Sequence, residues 1–170
     1  KDEFGMNPSA IMQFANEVSE IHVLGVEIAI VVGGGNIFRG IQASSKGITK
    51  SSGDHMGMLA TVINAIAFRN TLENIGVDAR VQTATFMPQF AELFSENKAK
   101  KHLEKGRVVI FAGGTGNPFF TTDSAAALRS IEIEAEILIK ATDVDGIYDS
   151  DPKKNPNAKL YKKISYHEVL

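Results

Sequence analysis

The stretch Val26-Glu27-Ile28-Ala29-Ile30-Val31-Val32-Gly33-Gly34-Gly35 decides the fold. Residues 26–32 are a short, largely apolar run that predicts a buried strand, and three glycines follow it directly. The apolar run Arg107–Ala112 repeats the arrangement, because Gly113 and Gly114 come immediately after it. In parallel sheets with such turns, ligands bind beyond the carboxyl ends of the strands. The two glycine turns therefore predict a ligand site at one edge of a sheet.

Helical patterns separate the predicted strands. Helices are predicted over 8–24, 54–74, 88–105 and 124–131, and strands over 26–32, 79–83, 107–112 and 136–140. Residues 41–53 and 149–160 are rich in polar and turn-forming residues and predict loops. The alternation predicts an α/β fold with a mostly parallel central sheet sandwiched by helices, as a single domain over 1–170.

The composition excludes several classes of protein. The chain has 170 residues, a formal net charge of −2 and no Cys, so disulfide frameworks and Cys-based zinc sites are excluded. The aliphatic run 28–32 is far shorter than the roughly 20 residues of a membrane span, and the N-terminus lacks a signal-peptide pattern. The basic cluster 98–107 is interpreted as a helix C-terminus rather than a nucleic-acid patch. We therefore expect no membrane or nucleic-acid partner. The lack of Cys permits a reducing compartment without proving one, and a cytoplasmic location is expected.

The first glycine loop has two interpretations. Gly33–Gly35, followed by Asn36, would let backbone N–H groups crowd around a phosphate, and Arg39 has a fork suited to phosphate oxygens. The alternative is a tight strand-to-helix turn with an exposed arginine. This loop alone leaves both open.

The second loop, Gly113–Asp123, contains three glycines, three threonines and an asparagine close to Pro118. Phe119 and Phe120 lie side by side, where at most one faces the core and the other stacks on a planar ligand such as a base. Asp123 is either the N-cap of the Ala-rich helix that follows or part of a site beside that helix N-terminus.

The third loop carries four aspartates, Asp143, Asp145, Asp149 and Asp151. They could hold Mg²⁺, although a solvated turn is the simpler interpretation and the spacing is not that of an EF-hand. The P-loop motif G-x-x-x-x-G-K-[ST] does not occur, and the four His show no metal-site spacing. Met56 and Met58 are interpreted as core residues.

Taken together, three motifs resemble bacterial uridylate (UMP) kinases of the amino acid kinase fold family. They are 32–40 (Val-Gly-Gly-Gly-Asn-Ile-Phe-Arg-Gly), 53–61 (Gly-Asp-His-Met-Gly-Met-Leu-Ala-Thr) and 114–123 (Gly-Thr-Gly-Asn-Pro-Phe-Phe-Thr-Thr-Asp). Residues 140–142, 144–148 and 151–152 match as well. The resemblance runs from about Gly5 to Leu170 and implies a three-layer amino acid kinase fold.

The resemblance implies ATP-dependent phosphorylation of UMP to UDP in pyrimidine nucleotide biosynthesis, with Mg²⁺ accompanying ATP. For UMP it implies contacts from Gly34, Asp54, Thr115, Gly116, Asn117, Pro118, Phe119, Phe120, Thr121 and Thr122. For ATP it implies contacts from Gly35, Arg39, Thr142, Tyr148 and Asp151. Asp54 would accept hydrogen bonds from the ribose hydroxyls. Asp123 and Arg39 would act at the transfer centre, Asp123 through Mg²⁺ or a lysine.

The resemblance also carries expectations about the whole protein. The family pattern begins with a strand and a Lys-x-Ser-Gly loop and continues beyond the position of Leu170. We therefore expect a fragment that is inactive alone, and a homohexamer activated by GTP and inhibited by UTP. Two alternatives remain: another amino acid kinase family phosphotransferase, or a non-catalytic nucleotide-binding regulatory module. A smaller departure is Asp143, where many relatives carry Lys.

Overall fold

The computed structural model describes residues 5–38, 47–142 and 144–169. Arg39, Asp143 and residues 41–46 of the predicted loop lie outside these ranges. In the described part the helices are α1 (Pro8–Val23), α2 (Lys50–Asn74), α3 (Glu96–Leu103), α4 (Thr122–Glu132) and α5 (Tyr166–Val169). The strands there are β1 (Ala29–Val31), β2 (Ala79–Thr83), β3 (Glu92–Leu93) and β4 (Val108–Ala112).

The four strands form one parallel sheet in the order β1-β4-β2-β3. Ala29 pairs with Val109 on one side of β4, and Ala79 pairs with Val108 on the other. The predicted parallel sheet is confirmed, and β2 has the bounds that the sequence predicts. Since the strands are parallel, the loops that follow β1 and β4 leave the sheet at the same edge.

Helices cover both faces of the sheet. Alternate residues of β4 point to opposite faces. Val108 and Ile110 join one core cluster with Leu72 of α2, whereas Val109 and Phe111 join a second. The second cluster also contains Ala99 and Leu103 of α3. The sheet therefore lies between helical layers, as predicted.

Arg129 is a buried cation beside the second core cluster. Its guanidinium carbon lies 3.7 Å from the centroid of the Phe94 ring, and its Nη1 donates to Glu132 Oε2 at 2.5 Å. Phe94 in turn packs edge-on against Phe111. The ion pair and the ring together offset the desolvation of the buried cation.

Three of the predicted segments differ clearly from the structure. Helix α2 begins at Lys50, so residues 50–53 are helical rather than part of the loop; Thr49 caps the helix by accepting from Ser52 N at 3.2 Å. Residues 88–105 are not one helix, because Glu92–Leu93 pairs with β2 and α3 starts only at Glu96. Residues 136–140 form no strand.

The chain divides into two compact units, Lys1–Glu136 and Ile137–Leu170. The second unit contains an antiparallel bridge between Tyr148 and Leu160, a turn at Asp151 and helix α5. Its described residues include none that is buried. Among the described helices, none combines the length and apolar character needed to cross a bilayer.

Candidate functional site

The glycine loop after β1 lies directly against helix α2. A Cβ placed on Gly34 would lie 2.6 Å from the Gly57 carbonyl oxygen and 2.8 Å from the Ala60 Cβ, so only glycine fits. The Gly34 carbonyl accepts from Ile37 N and Phe38 N at 3.0 and 2.9 Å. The loop therefore turns sharply and passes closer to the helix than any side chain would allow.

The loop after β4 turns with three left-handed glycines. The φ angles of Gly113, Gly114 and Gly116 are 76°, 59° and 83°. A Cβ on Gly113 would lie 2.8 Å from Thr83 Oγ1. The turn is closed by the bond from Asn117 N to Thr115 Oγ1 at 3.2 Å. The backbone thus leaves β4 in a conformation that favours glycine, as the Gly-Gly-Thr-Gly sequence indicates.

The Asp54 carboxylate joins helix α2 to the second loop. Lys50 Nζ donates to both of its oxygens, at 2.5 and 2.7 Å, and Phe119 N donates to Oδ2 at 2.8 Å. Phe119 has a φ of 71°, a left-handed conformation that is uncommon for a non-glycine residue. The Asp54 bond therefore stabilises an unfavourable backbone conformation at the tip of the loop.

Hydrogen bonding lowers the pKa of Asp54. The bond from Lys50 and the bond from the Phe119 N–H lower the pKa of Asp54 below its ordinary value of 3.8, and burial only partly opposes them. The side chain is 15% exposed, so an ionised acceptor remains within reach of a ligand.

These loops enclose a cavity of about 190 Å³. Its walls are Gly34, Gly35, Phe38, Gly53, Asp54, Gly57, Met58, Thr61, Gly114, Thr115, Asn117, Phe120, Thr121 and Thr122. Small-ligand pockets usually measure roughly 300–1,000 Å³. The cavity therefore matches part of a nucleotide rather than the whole of one.

Most of the residues predicted for UMP meet at this cavity. Seven of the ten residues predicted for UMP line it: Gly34, Asp54, Thr115, Asn117, Phe120, Thr121 and Thr122. Gly35, which is predicted for ATP, lines it as well. Gly116, Pro118 and Phe119 lie in the same loop but outside the lining. Phe119 and Phe120 are 68% and 60% exposed, so neither faces the core. Sequence reasoning missed Thr61, and the prediction that Met56 and Met58 are core residues is wrong, since Met58 lines the cavity and Met56 is exposed.

The N-terminus of α4 closes one side of the cavity. Thr121 is the N-cap, because its Oγ1 accepts from Ser124 N at 3.2 Å. Asp123 lies in the first turn and is not the cap, so that interpretation is wrong. Thr121 precedes α4 and Thr122 begins it, and both face the cavity, where the positive end of the helix dipole favours an anion.

Of the residues predicted for ATP, Thr142, Tyr148 and Asp151 lie in the second unit, whereas Gly35 lines the cavity. Tyr148 Oη donates to Asp145 Oδ2 at 3.3 Å, and Asp151 accepts from Lys153 N at 3.0 Å within a turn. Thr142 Oγ1 accepts from Val144 N at 3.4 Å. The third loop does not follow a strand, because residues 136–140 form none. Within the described ranges, no three His, Asp or Glu side chains group as a metal site would require.

The fold and this cavity define a class of protein. The amino acid kinase family model matches residues 4–170, and the chain belongs to that family. The resemblance to uridylate kinases is also confirmed. The chain is 54% identical to the uridylate kinase of Paramagnetospirillum magneticum over 168 residues, which is 99% of this chain and 70% of the relative.

Other comparisons agree. The uridylate kinase of Brucella anthropi is 56% identical over 98% of this chain and 70% of its own length. The crystal structure of UMP kinase from Bacillus anthracis superposes with a TM-score of 0.93 at 39% identity, covering 98% of this chain and 69% of that one. UMP kinase from Ureaplasma parvum gives a TM-score of 0.86 at 42% identity, covering 92% and 67%.

Proposed function

We propose that the protein phosphorylates UMP to UDP with ATP as the phosphoryl donor. The observation that carries the proposal is the cavity in which two glycine loops, the Asp54 carboxylate and the start of α4 meet. The identity to uridylate kinases over nearly the whole chain supports UMP as the acceptor. Because these relatives are kinases, it also supports ATP as the co-substrate.

The nucleoside of UMP would be held at the Asp54 side of the cavity. A carboxylate has about four acceptor positions, and the two bonds from Lys50 and the one from Phe119 leave about one for a ribose hydroxyl. Phe120 is exposed and lines the cavity, so its ring is available to stack on uracil. The phosphate would lie toward Gly34 and Thr122, where the α4 dipole favours negative charge.

The reaction needs positioning more than covalent chemistry from the protein. An oxygen of the UMP phosphate attacks the γ-phosphorus of ATP, the bond to the β,γ-bridging oxygen breaks, and ADP leaves. The glycine-loop backbone, Arg39 and the start of α4 would stabilise the negative charge that spreads over the transferred group. The acceptor phosphate is already ionised at neutral pH, so no strong general base is required.

On the ATP side, the proposal assigns Gly35, Arg39, Thr142, Tyr148 and Asp151. Mg²⁺ would neutralise charge on the ATP phosphates and is usually held by those phosphates plus one or two carboxylates. Asp123 fits that role in the chain, since it follows two cavity residues in the first turn of α4.

The test is a coupled ADP-release assay on the natural gene product with MgATP. We expect turnover with UMP and none with acetylglutamate, aspartate or carbamate. Comparable turnover of an amino acid would favour another phosphotransferase of the family. Calorimetric binding of UMP without ADP release would favour a regulatory module.

Two substitutions separate the assigned roles. Asp54→Asn is expected to weaken UMP binding more than ATP binding, because the amide donates where the ribose hydroxyls need an acceptor. Arg39→Ala is expected chiefly to lower kcat. Wild-type binding and turnover in both variants would contradict the site assignment.

Assembly and regulation are further parts of the proposal. We propose a homohexamer, activated by GTP and inhibited by UTP, in the cytoplasm where its nucleotide substrates are found. Support for self-association comes from large apolar side chains exposed on α1 and α2, namely Met12, Phe14, Ile21, Met56, Leu59 and Ile63. Analytical ultracentrifugation tests this, and a monomer at micromolar concentration would contradict it.

A further inference from the structure

Helix α2 contacts both glycine loops through residues on a single face. Thr61 and Asn64 are three positions apart, which places them on neighbouring turns of the same side of the helix. Thr61 reaches the loop after β4, and Asn64 reaches the loop after β1. One rigid element therefore holds the two loops that bound the cavity.

Thr61 fixes the start of the second loop. Its hydroxyl donates to the Met58 carbonyl at 2.7 Å and accepts from Gly113 N at 2.7 Å. The donor and acceptor roles do not compete, since the hydroxyl proton points into the helix and a lone pair faces Gly113. Thr61 is 5% exposed, so Gly113 N would lack a partner if this oxygen were removed.

Asn64 fixes the first loop in a similar way. Its Nδ2 donates to the Gly33 carbonyl at 2.7 Å and to Asn36 Oδ1 at 2.7 Å. Asn36 Nδ2 donates back to Asn64 Oδ1 at 3.2 Å and to the Gly5 carbonyl at 3.0 Å. The two amides form a reciprocal pair that ties the glycine loop to α2 and to the segment before α1.

We propose that Thr61 and Asn64 are positioning residues for phosphoryl transfer, which set the separation of the two glycine loops. The inference rests on the proposed function, because the loops carry the acceptor phosphate and the transferred group only in that reaction. Neither side chain needs to touch the reacting atoms. Each acts through the backbone of a loop, and a displacement of about 1 Å in such a loop costs on the order of 100-fold in rate.

The first test replaces the Thr61 oxygen. Thr61→Val keeps the branched shape and is expected to lower kcat about 10- to 100-fold while the KM for UMP changes less than about threefold. Thr61→Ser restores the oxygen and is expected to recover most of kcat. Thr71→Val is the matched control, because the Thr71 hydroxyl bonds only its own helix, to the Ala67 carbonyl at 3.0 Å, as far as the described residues go.

The second test uses the amide pair. Asn64→Ala and Asn36→Ala are each expected to lower kcat. The double variant is expected to lose less than the product of the two single losses, since each change breaks the same reciprocal contact. Asn70→Ala, at an exposed position of the same helix, is the control and should keep wild-type kcat.

The outcomes separate a positioning role from a structural one. Lower thermal stability with unchanged kcat in Thr61→Val and Asn64→Ala would overturn the inference, as would equal kcat losses in the Thr71 and Asn70 controls. All these variants are made in the natural gene product, and absence of UMP phosphorylation by its wild-type form would instead overturn the proposed function. A selective kcat loss that Thr61→Ser reverses supports the inference.

Discussion

At the scale of single residues, Asp54 has a structural role as well as its proposed ligand role. It receives hydrogen bonds from Lys50 and from the Phe119 backbone, and the Lys50 ammonium lies 5.9 Å from the centroid of the Phe119 ring. Sequence reasoning identified Asp54 and Phe119 from their motifs. It could not identify their contact, because 65 positions separate them and only the folded loop brings them together.

The lowered pKa of Asp54 leads to a pH-dependent prediction. The folded state favours the carboxylate, so this stabilisation is complete above the ordinary pKa of 3.8 and is lost as the pH falls through the lower folded pKa. Urea unfolding should show a wild-type advantage over Asp54→Asn that is constant between pH 5 and 7 and shrinks below about pH 4.

A matched control isolates the effect of this carboxyl group. Glu20→Gln removes an exposed carboxyl on α1. The difference in the free energy of unfolding between this variant and wild type should not shrink below about pH 4 in the same way. A gap between wild type and Asp54→Asn that stays constant down to pH 3 would contradict the assignment of the lowered pKa.

Gly34 gives a second prediction at this scale. Gly34→Ala places a methyl group 2.6 Å from the Gly57 carbonyl oxygen, and we expect a loss of about 1–3 kcal/mol in the free energy of unfolding. Gly57→Ala is the control for stability, since a Cβ there meets nothing within 4 Å and alanine favours a helix by roughly 0.5–1 kcal/mol. Equal stability of the two variants in urea titrations would contradict the close packing at Gly34.

At the scale of elements, the sequence predicted the strand and the helix ends that depend on local conformational preferences. Strand β2 and the ends of α1 and α2 at Gly25 and Gly76 follow the predictions, and both glycines have left-handed φ angles of 83° and 86°. A left-handed glycine at a helix end is a local preference that needs no tertiary contact.

Strand pairing explains why the predicted single helix over 88–105 is wrong. Apolar residues recur there at a spacing close to that of a helix, yet Glu92–Leu93 pairs with Gln82–Thr83 of β2. Phe94 N then donates to the Thr83 carbonyl at 2.9 Å. Pairing with an existing sheet edge outweighs helical propensity in this segment. Residues 136–140 form no strand, because an apolar sequence alone does not make one without pairing partners.

The cap of α4 can be tested directly. Thr121→Ala removes the oxygen that accepts from Ser124 N, and we expect a loss of about 1 kcal/mol in the free energy of unfolding. Thr121→Ser keeps the acceptor and should restore most of this loss. A larger loss in the free energy of unfolding for Asp123→Ala than for Thr121→Ala would contradict this assignment and indicate Asp123 as the N-cap.

At the scale of the whole molecule, stability is concentrated in the first unit. All five residues of β4 are buried, whereas the second unit has no buried residue among those described. Amide hydrogen exchange should be slowest in 108–112 and 79–83 and fastest in 144–160. Exchange in 144–160 as slow as in β4 would contradict this distribution.

The central position of β4 also affects how the chain folds during synthesis. In the described sheet β1 pairs with β4 alone, and Ala29 meets Val109. The apolar strand β1 thus leaves the ribosome long before β4 has been synthesised. The pairing of β1 with β4 can be completed only when residue 112 has emerged. Such non-local pairing slows folding and leaves apolar segments exposed in the nascent chain. Arrest of translation before β4 would therefore yield a chain that chaperones hold and proteases clear.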